Sequence, residues 1–364
     1  MFPLQPWLRQ VNKAPASSDG LPERGTFVRS PRIFRWTKLA AAAVVTVTAV
    51  AACSSSSSTT AASGAAGSSG TSSAAAGGTG NTVNSTWPTS VTLGSVGEAN
   101  ATALVESLQP LQDVLKAKMD VTLKVDTGTS YAAMIEAQES GKAQLVEYGP
   151  FSYEIAVHQG VKITNVGLVT SAPNTDGSYY SLGVVDPQRT PSITSLKDAT
   201  GKKVCFSDPA STSGYLYPSY GLLQAGVSPT SGVSPVFAGN DTTTAVDVAQ
   251  GSCQVGFSNT ANLPAAFTTD HVAKSAIKVI WTSEKIPASP IAASDSLPAS
   301  FITTLKSVLV NDGNSAYEAA HGYCSSVTAC SNITGQYGFA DPSLANYAPI
   351  LQVCAVTKSP SCNV

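Results

Sequence analysis

The chain has 364 residues, a formal net charge of −2 and only 12% charged residues. No basic stripe runs through it, which excludes a nucleic-acid backbone as its main partner. Seven cysteines without close pairs, and three scattered histidines, give no structural zinc spacing, so no metal or other cofactor is expected.

In chain order, Arg24, Arg29, Arg32, Arg35 and Lys38 precede an apolar stretch over 39–52. That stretch is too short to span a bilayer and has the length of a signal-peptide core. It closes with Val50-Ala51-Ala52-Cys53, which resembles a bacterial lipobox, where the cysteine becomes the acylated first residue of the mature protein. The alternative is an ordinary secretory signal with an unrelated cysteine. Residues 1–52 therefore read as leader and 53–86 as a tether of Ser, Ala, Gly and Thr. Such a segment cannot bury enough apolar surface to offset its ordering entropy. About 280 residues remain, enough for one two-lobed unit or two small domains.

The folded part alternates strands with helices. Strands are expected over 89–95, 121–125, 143–147, 162–169, 179–186, 203–207, 234–237, 253–257 and 279–282. Helices are expected over 99–119, 131–140, 152–159, 242–250 and 298–311, and again from Leu344 onward. Alternation of this kind predicts an α/β fold with mainly parallel sheets.

The most informative run is 202–226. Its apolar start has strand length, and Asp208-Pro209 breaks it, because the residue before proline is pushed out of the α region. Ser211-Thr212-Ser213-Gly214 then opens a helix that ends near Gly226. The unpaired N–H groups of a helix start carry the positive dipole end, and three adjacent hydroxyls add donors without adding charge. Capping alone needs one hydroxyl. Three in succession point to an anion seat.

With Cys53 assigned to lipid, six cysteines remain, and an even number in an exported chain suggests disulfides. The expected pairs are Cys205–Cys253 between two strands, with Cys324–Cys330 and Cys354–Cys362 as local clasps near the C-terminus.

Several runs occur in a telling order: Gly128-Thr129-Ser130-Tyr131, Tyr148-Gly149-Pro150-Phe151-Ser152-Tyr153, Ser178-Tyr179-Tyr180-Ser181, Asp208 to Tyr215, and Trp281 to Pro290. On these motifs the chain resembles the phosphate, phosphite and phosphonate solute-binding proteins of ABC importers, over about 89–309. The resemblance implies a type II periplasmic-binding-protein fold, two α/β lobes joined by two crossover strands with the ligand cleft between them. It puts the crossovers near Val184–Asp186 and Ile280–Trp281, with one lobe from 87–185 and 281–364 and the other from 186–280. It also implies a small phosphorus oxyanion as ligand and an ABC permease and ATPase as partners. The protein would be a monomer, lipid-anchored on the outer face of the cell membrane. Closure on the ligand would be a hinge motion.

Residue by residue, the resemblance assigns the phosphoryl oxygens to the hydroxyls of Ser211, Thr212 and Ser213 and to the amides of Thr212, Ser213 and Gly214. Tyr131, Tyr179 and Tyr180 fall where the family places cleft aromatics. Where relatives carry Gly-Ser-His this chain has Gly239-Asn240-Asp241. Where relatives with aminated ligands carry acids it has Asn259 or Asn262, and Ser289. A buried ammonium needs a counter-charge, so an aminoalkyl phosphonate is expected to bind less well than the simple oxyanions. Asp241 would accept a hydrogen bond from a protonated oxyanion or cap the helix at 242–250.

An enzyme is the competing class. A hydroxyl nucleophile needs a base within reach, and His158, His271 and His321 lie outside every motif. An oxyanion sensor that has kept the fold is the other alternative. Residues 311–364 carry no motif and are expected to cap the first lobe.

Overall fold

The computed structural model describes residues 86–96, 101–330 and 336–362. The leader, the tether up to residue 85 and the acylation candidate Cys53 lie outside them. No helix among the described residues is long and apolar enough to cross a membrane.

The first lobe opens with β1 (Ser90–Val96), α1 (Ala101–Ser107), α2 (Gln109–Met119), β2 (Thr122–Gly128) and α3 (Tyr131–Glu139). It continues through β3 (Leu145–Glu147), α4 (Pro150–His158) and β4 (Ile163–Thr170). The chain then crosses to the second lobe: β5 (Ser181–Val185), β6 (Lys203–Phe206), a π-helical turn over Thr212–Leu216, α5 (Tyr217–Gln224), β7 (Ser234–Phe237), α6 (Asp241–Gln250), β8 (Val255–Asn259), α7 (Leu263–Thr268) and β9 (Lys278–Thr282). It returns for β10 (Pro290–Ser294), α8 (Ala299–Asn311), α9 (Ser315–Ala320), β11 (Gly338–Ala340) and α10 (Ala348–Thr357).

One sheet has the order β11-β4-β10-β3-β1-β2 and the other β7-β6-β8-β5-β9. Both are mixed rather than mainly parallel. Strand β1 pairs parallel with β2 and β3, and β6 with β7 and β8. Strands β5 and β10, which enter each lobe after a crossing, run against both of their neighbours. A crossing that turns back on itself delivers its strand reversed, a constraint that alternation along the sequence does not carry.

The crossings themselves are displaced from the expected positions. Val184 lies within β5, and Ile280 and Trp281 within β9, both strands of the second sheet. The chain passes between lobes over 171–180 and 283–289, where Tyr179 and Ile286 pair through two backbone hydrogen bonds of 2.9 and 3.0 Å. The helix expected over 99–119 is two helices, because Pro110 has no N–H for the fourth carbonyl back and the ladder restarts there. Strands β10 and β11 and helices α7 and α9 were not legible: the strands are short, and β10 is buried along its whole length, which erases alternation.

Each lobe has its own core. In the first, Phe301, Leu305, Val308 and Leu309 of α8 repeat at helical spacing and pack with Val91, Leu93 and Leu123 of the sheet. In the second, Val204, Phe206, Val255 and Phe257 meet Leu222 of α5. A third cluster joins the lobes: Tyr148, Phe151 and Ile155 from the first, Leu216 and Tyr217 from the second, and Ile350 and Val353 from α10. The C-terminal segment is therefore a cap on the first lobe only in part: β11 and Phe339 belong to that lobe's sheet and core, while α10 reaches across to lie against α5. The three disulfides join Cys205 to Cys253, Cys324 to Cys330 and Cys354 to Cys362, the pairs expected.

Candidate functional site

Between the carboxyl ends of the two sheets lies a cavity of about 200 Å³, room for a small ion rather than a drug-sized ligand. Its second-lobe wall grows out of β6. After Phe206 the Asp208 carboxylate accepts the Ala210 amide at 2.7 Å, closing the turn that proline permits. Ser211 is extended, and its Oγ accepts the Gly214 amide at 3.0 Å as a helix cap. Pro218 offers no N–H to the Gly214 carbonyl, which accepts the Ser207 amide at 3.2 Å instead. With that rung missing the first turn widens into a π-helix, and the Leu216 amide reaches back to the Ser211 carbonyl at 3.0 Å. The amides of Thr212 and Ser213, at the head of this turn, have no acceptor within the helix.

Asp241 stands behind the seat as the first residue of α6, whose cap is Asn240. Ser213 Oγ donates to Asp241 Oδ2 at 2.6 Å, and Asn259 Nδ2 donates to the same oxygen. Asn259 in turn accepts the amides of Ala261 and Asn262, each at 2.8 Å. Burial pushes the Asp241 carboxyl above the ordinary carboxylate range, opposed by hydrogen bonds from Ser213, Ser207 and Asn259. Gly214 is required by this packing, since a Cβ there would overlap Ser207 and Asp241.

The first-lobe wall comes from strand and helix ends. Tyr131 heads α3, which Ser130 caps by accepting the Ala133 amide at 3.2 Å. Burial holds its phenol well above the usual value, and the nearby charges of Tyr179, Asp241, Glu147 and Asp208 add to that. Tyr179, on the outgoing crossing, is also raised chiefly by burial, and its hydroxyl meets those of Ser289, Ser213 and Thr212. The Phe151 amide of α4 donates across the cleft to Thr212 Oγ1 at 2.9 Å. Gly149 permits that approach, because a Cβ there would sit 2.9 Å from the same oxygen.

Of the expected residues, Ser211, Thr212, Ser213, Tyr131, Tyr179, Asn240, Asp241, Asn259 and Ser289 all line the cavity. Tyr180 does not: side chains alternate along an extended segment, and it points outward, 39% exposed. The Gly214 amide is taken by Ser211, so it offers no donor to a ligand. Ser213 spends its proton on Asp241, Thr212 Oγ1 accepts the Phe151 amide and meets the Tyr179 hydroxyl, and Ser211 Oγ accepts from Gly214 with its own proton left for a ligand.

Residues the sequence reading missed are Ser95, Glu147, Ser171, Ser207 and Gln336. Ser95 and Glu147 sit at the carboxyl ends of β1 and β3, with Ser95 Oγ 3.4 Å from Glu147 Oε2. Strand ends facing a cleft were the available signal. Asp241 lines the cleft as expected, and Glu147 adds an acid that the substitutions at Asn259 and Ser289 did not suggest. No lysine, arginine or histidine is among the lining residues. The positive field comes from the amino ends of α3, α4, the π-helical turn and α6.

Residues 94–341 match the family described as ABC transporter, phosphonate, periplasmic substrate-binding protein. The chain is 32% identical over 286 residues to the phosphate-import protein PhnD of Mycolicibacterium smegmatis, covering 76% of this chain and 88% of that one. It is 31% identical over 188 residues to the phosphonates-binding periplasmic protein of Escherichia coli, covering 50% and 53%. Among solved structures, a binding-protein component of an ABC phosphonate transporter from Pseudomonas aeruginosa aligns with a TM-score of 0.63 at 21% identity, over 74% of this chain and 86% of that one. PhnD1 from Prochlorococcus marinus in complex with methylphosphonate aligns with a TM-score of 0.61 at 21% identity, over 74% and 99%. The fold is thus the type II periplasmic-binding architecture expected from the sequence.

Proposed function

This chain belongs to the periplasmic substrate-binding proteins of phosphonate ABC transporters, and from that premise we propose that its ligand is phosphate, phosphite or a simple phosphonate carrying one proton. It is a binding protein and not an enzyme. The observation that carries the reading is a seat made of helix amino ends and the Ser211 and Thr212 hydroxyls, with a buried carboxylate, Asp241, in the wall and no cationic side chain. Helix ends and hydroxyls attract an anion, while a fixed carboxylate repels any anion that cannot offer it a proton. A monoprotonated phosphorus oxyanion meets both demands. Sulfate, fully ionised at neutral pH, does not.

Glu147 favours a second reading. It lines the first-lobe wall and supplies the counter-charge that a ligand ammonium needs. The test is a calorimetric panel of phosphate, phosphite, methylphosphonate, aminoethylphosphonate and sulfate. The simple phosphorus oxyanions should bind at least tenfold more tightly than sulfate, a difference of roughly 1.4 kcal/mol or more. Equal binding of sulfate refutes the carboxylate argument. Should aminoethylphosphonate lead the panel and fall tenfold in Glu147→Gln, the second reading replaces the first.

The Val50-Ala51-Ala52 run that leads into Cys53, together with its position before the tether, supports a lipid anchor holding a monomer on the outer face of the membrane. Incorporation of labelled palmitate that is lost in Cys53→Ser is the expected outcome.

A further inference from the structure

The last helix of the chain is covalently attached to one lobe and rests on the other. The chain leaves β11, at the edge of the first sheet, and reaches Tyr347. The Tyr347 hydroxyl donates to the Ala288 carbonyl of the returning crossing at 3.2 Å. Its ring lies 5.5 Å from that of Tyr153 on α4 of the first lobe. Immediately beyond it, α10 packs on α5 and on the π-helical turn of the second lobe. Ile350, Val353 and Cys354 of α10 are buried in the apolar cluster shared with Phe151 of the first lobe and Leu216 of the second. The Cys354–Cys362 bridge folds the tail back onto this helix.

We propose that the segment from Tyr347 through α10 is a strap that joins the lobes outside the two crossings and limits how far the cleft opens. A hinge rotation that parts α4 from the π-helical turn must either lift α10 from α5 or draw Tyr347 away from Tyr153 and Ala288. Both movements expose buried apolar surface, which opposes opening. The strap thereby raises the population of the closed arrangement, and apparent affinity scales with the population competent to hold the ligand. None of this depends on which anion is bound.

The Phe151 amide reports opening directly, since its acceptor, Thr212 Oγ1, is on the opposite lobe. Hydrogen exchange should be followed in the full chain without added ligand, for the wild type, Ile350→Ala and Tyr347→Phe. Ile350→Ala should accelerate exchange at Phe151 about tenfold, and Tyr347→Phe about threefold, while amides in the centres of β1 and β6 keep wild-type rates. Acceleration shared equally by those central strands marks general destabilisation and overturns the proposal, as do unchanged rates at Phe151. Should Ile350→Ala fail to fold, Tyr347→Phe decides: it removes one hydroxyl and keeps the ring, and a wild-type rate at Phe151 in that variant sinks the strap.

Discussion

The second-lobe face of the cleft gathers Ser211, Thr212, Ser213, Asp241 and Asn259, all buried, with Ser213 and Asn259 both donating to Asp241. The first-lobe face presents Ser95, Tyr131, Glu147 and Gly149 from four separate strand and helix ends, with Ser95 Oγ reaching Glu147 Oε2 at 3.4 Å. A face whose polar groups are fixed by one another is preorganised and needs little reordering when an anion arrives. A face assembled from separate ends contributes mainly when the lobes come together. The second lobe should therefore set which head group binds, and the first should set how the rest of the ligand is enclosed.

The largest effect should come from breaking the preorganised face at its tightest point. A methyl at Gly214 would overlap Ser207 and Asp241, both buried, so neither can retreat into solvent. Gly214→Ala should lower stability by about 1–3 kcal/mol, the usual cost of overpacking. It should also abolish anion binding measurable at millimolar concentration. On the opposite face, Gly149→Ala meets Thr212 Oγ1 at 2.9 Å, a milder contact than those at Gly214, and turning that side chain away gives up the bond from the Phe151 amide. Thermal unfolding should place Gly149→Ala between the wild type and Gly214→Ala. If the two variants unfold alike, the contrast between the faces is lost.

The same contrast explains what could be read in advance. The second-lobe seat lies in one contiguous run, Asp208 to Tyr215, whose residue types announce a turn, a cap and an anion site together. That is why Ser211 to Ser213 were legible. Ser95 and Glu147 are single residues at strand ends, 52 positions apart, and nothing local distinguishes them from surface polar residues. Their meaning comes only from β1 and β3 lying side by side. The strand-and-helix alternation gave the α/β class and most elements. The reversed direction of β5 and β10, and α10 crossing to the other lobe, are long-range facts with no local signature. Which way the Ser213 proton points was also hidden, because it depends on Asp241, 28 residues away.

An intermediate effect should follow from neutralising the carboxylate behind the seat. Burial raises the Asp241 carboxyl above its unfolded value, so the native state holds this proton more tightly than the unfolded chain does. The charged form is therefore a liability of the fold. Its destabilisation is absent below the unfolded value, near pH 4, and grows as pH rises through the native value. Asp241→Asn should consequently melt a few degrees higher than the wild type at neutral pH without ligand. The gap should close as pH falls towards 4. Methylphosphonate affinity should drop about tenfold, the scale of a lost hydrogen bond to a charged group, while sulfate gains. Were Asp241→Asn less stable at pH 7, the carboxylate would be a structural anchor instead of a tuned acceptor, and the second-lobe face would lose its role in selection.

The smallest effect belongs to a contact outside both faces. Lys285 Nζ lies 2.6 Å from Asp176 Oδ2, so the pair ties the two crossings together just outside the cleft. The Lys285 ammonium, with Ser178, holds the Asp176 carboxyl down at about 2. A lowered carboxyl stabilises the fold above its unfolded value, near 4, and that stabilisation is lost as pH falls towards 2. Both side chains are about half exposed, so water and salt screen the pair strongly. Lys285→Met should therefore change the melting temperature by less than about 3 °C at neutral pH and low salt. The difference should shrink in 1 M salt and again below pH 3. Anion affinity should stay within about twofold of the wild type, because no atom of the pair lines the cavity. A tenfold change would mean that the stiffness of the crossings, and not the unequal construction of the two faces, governs capture.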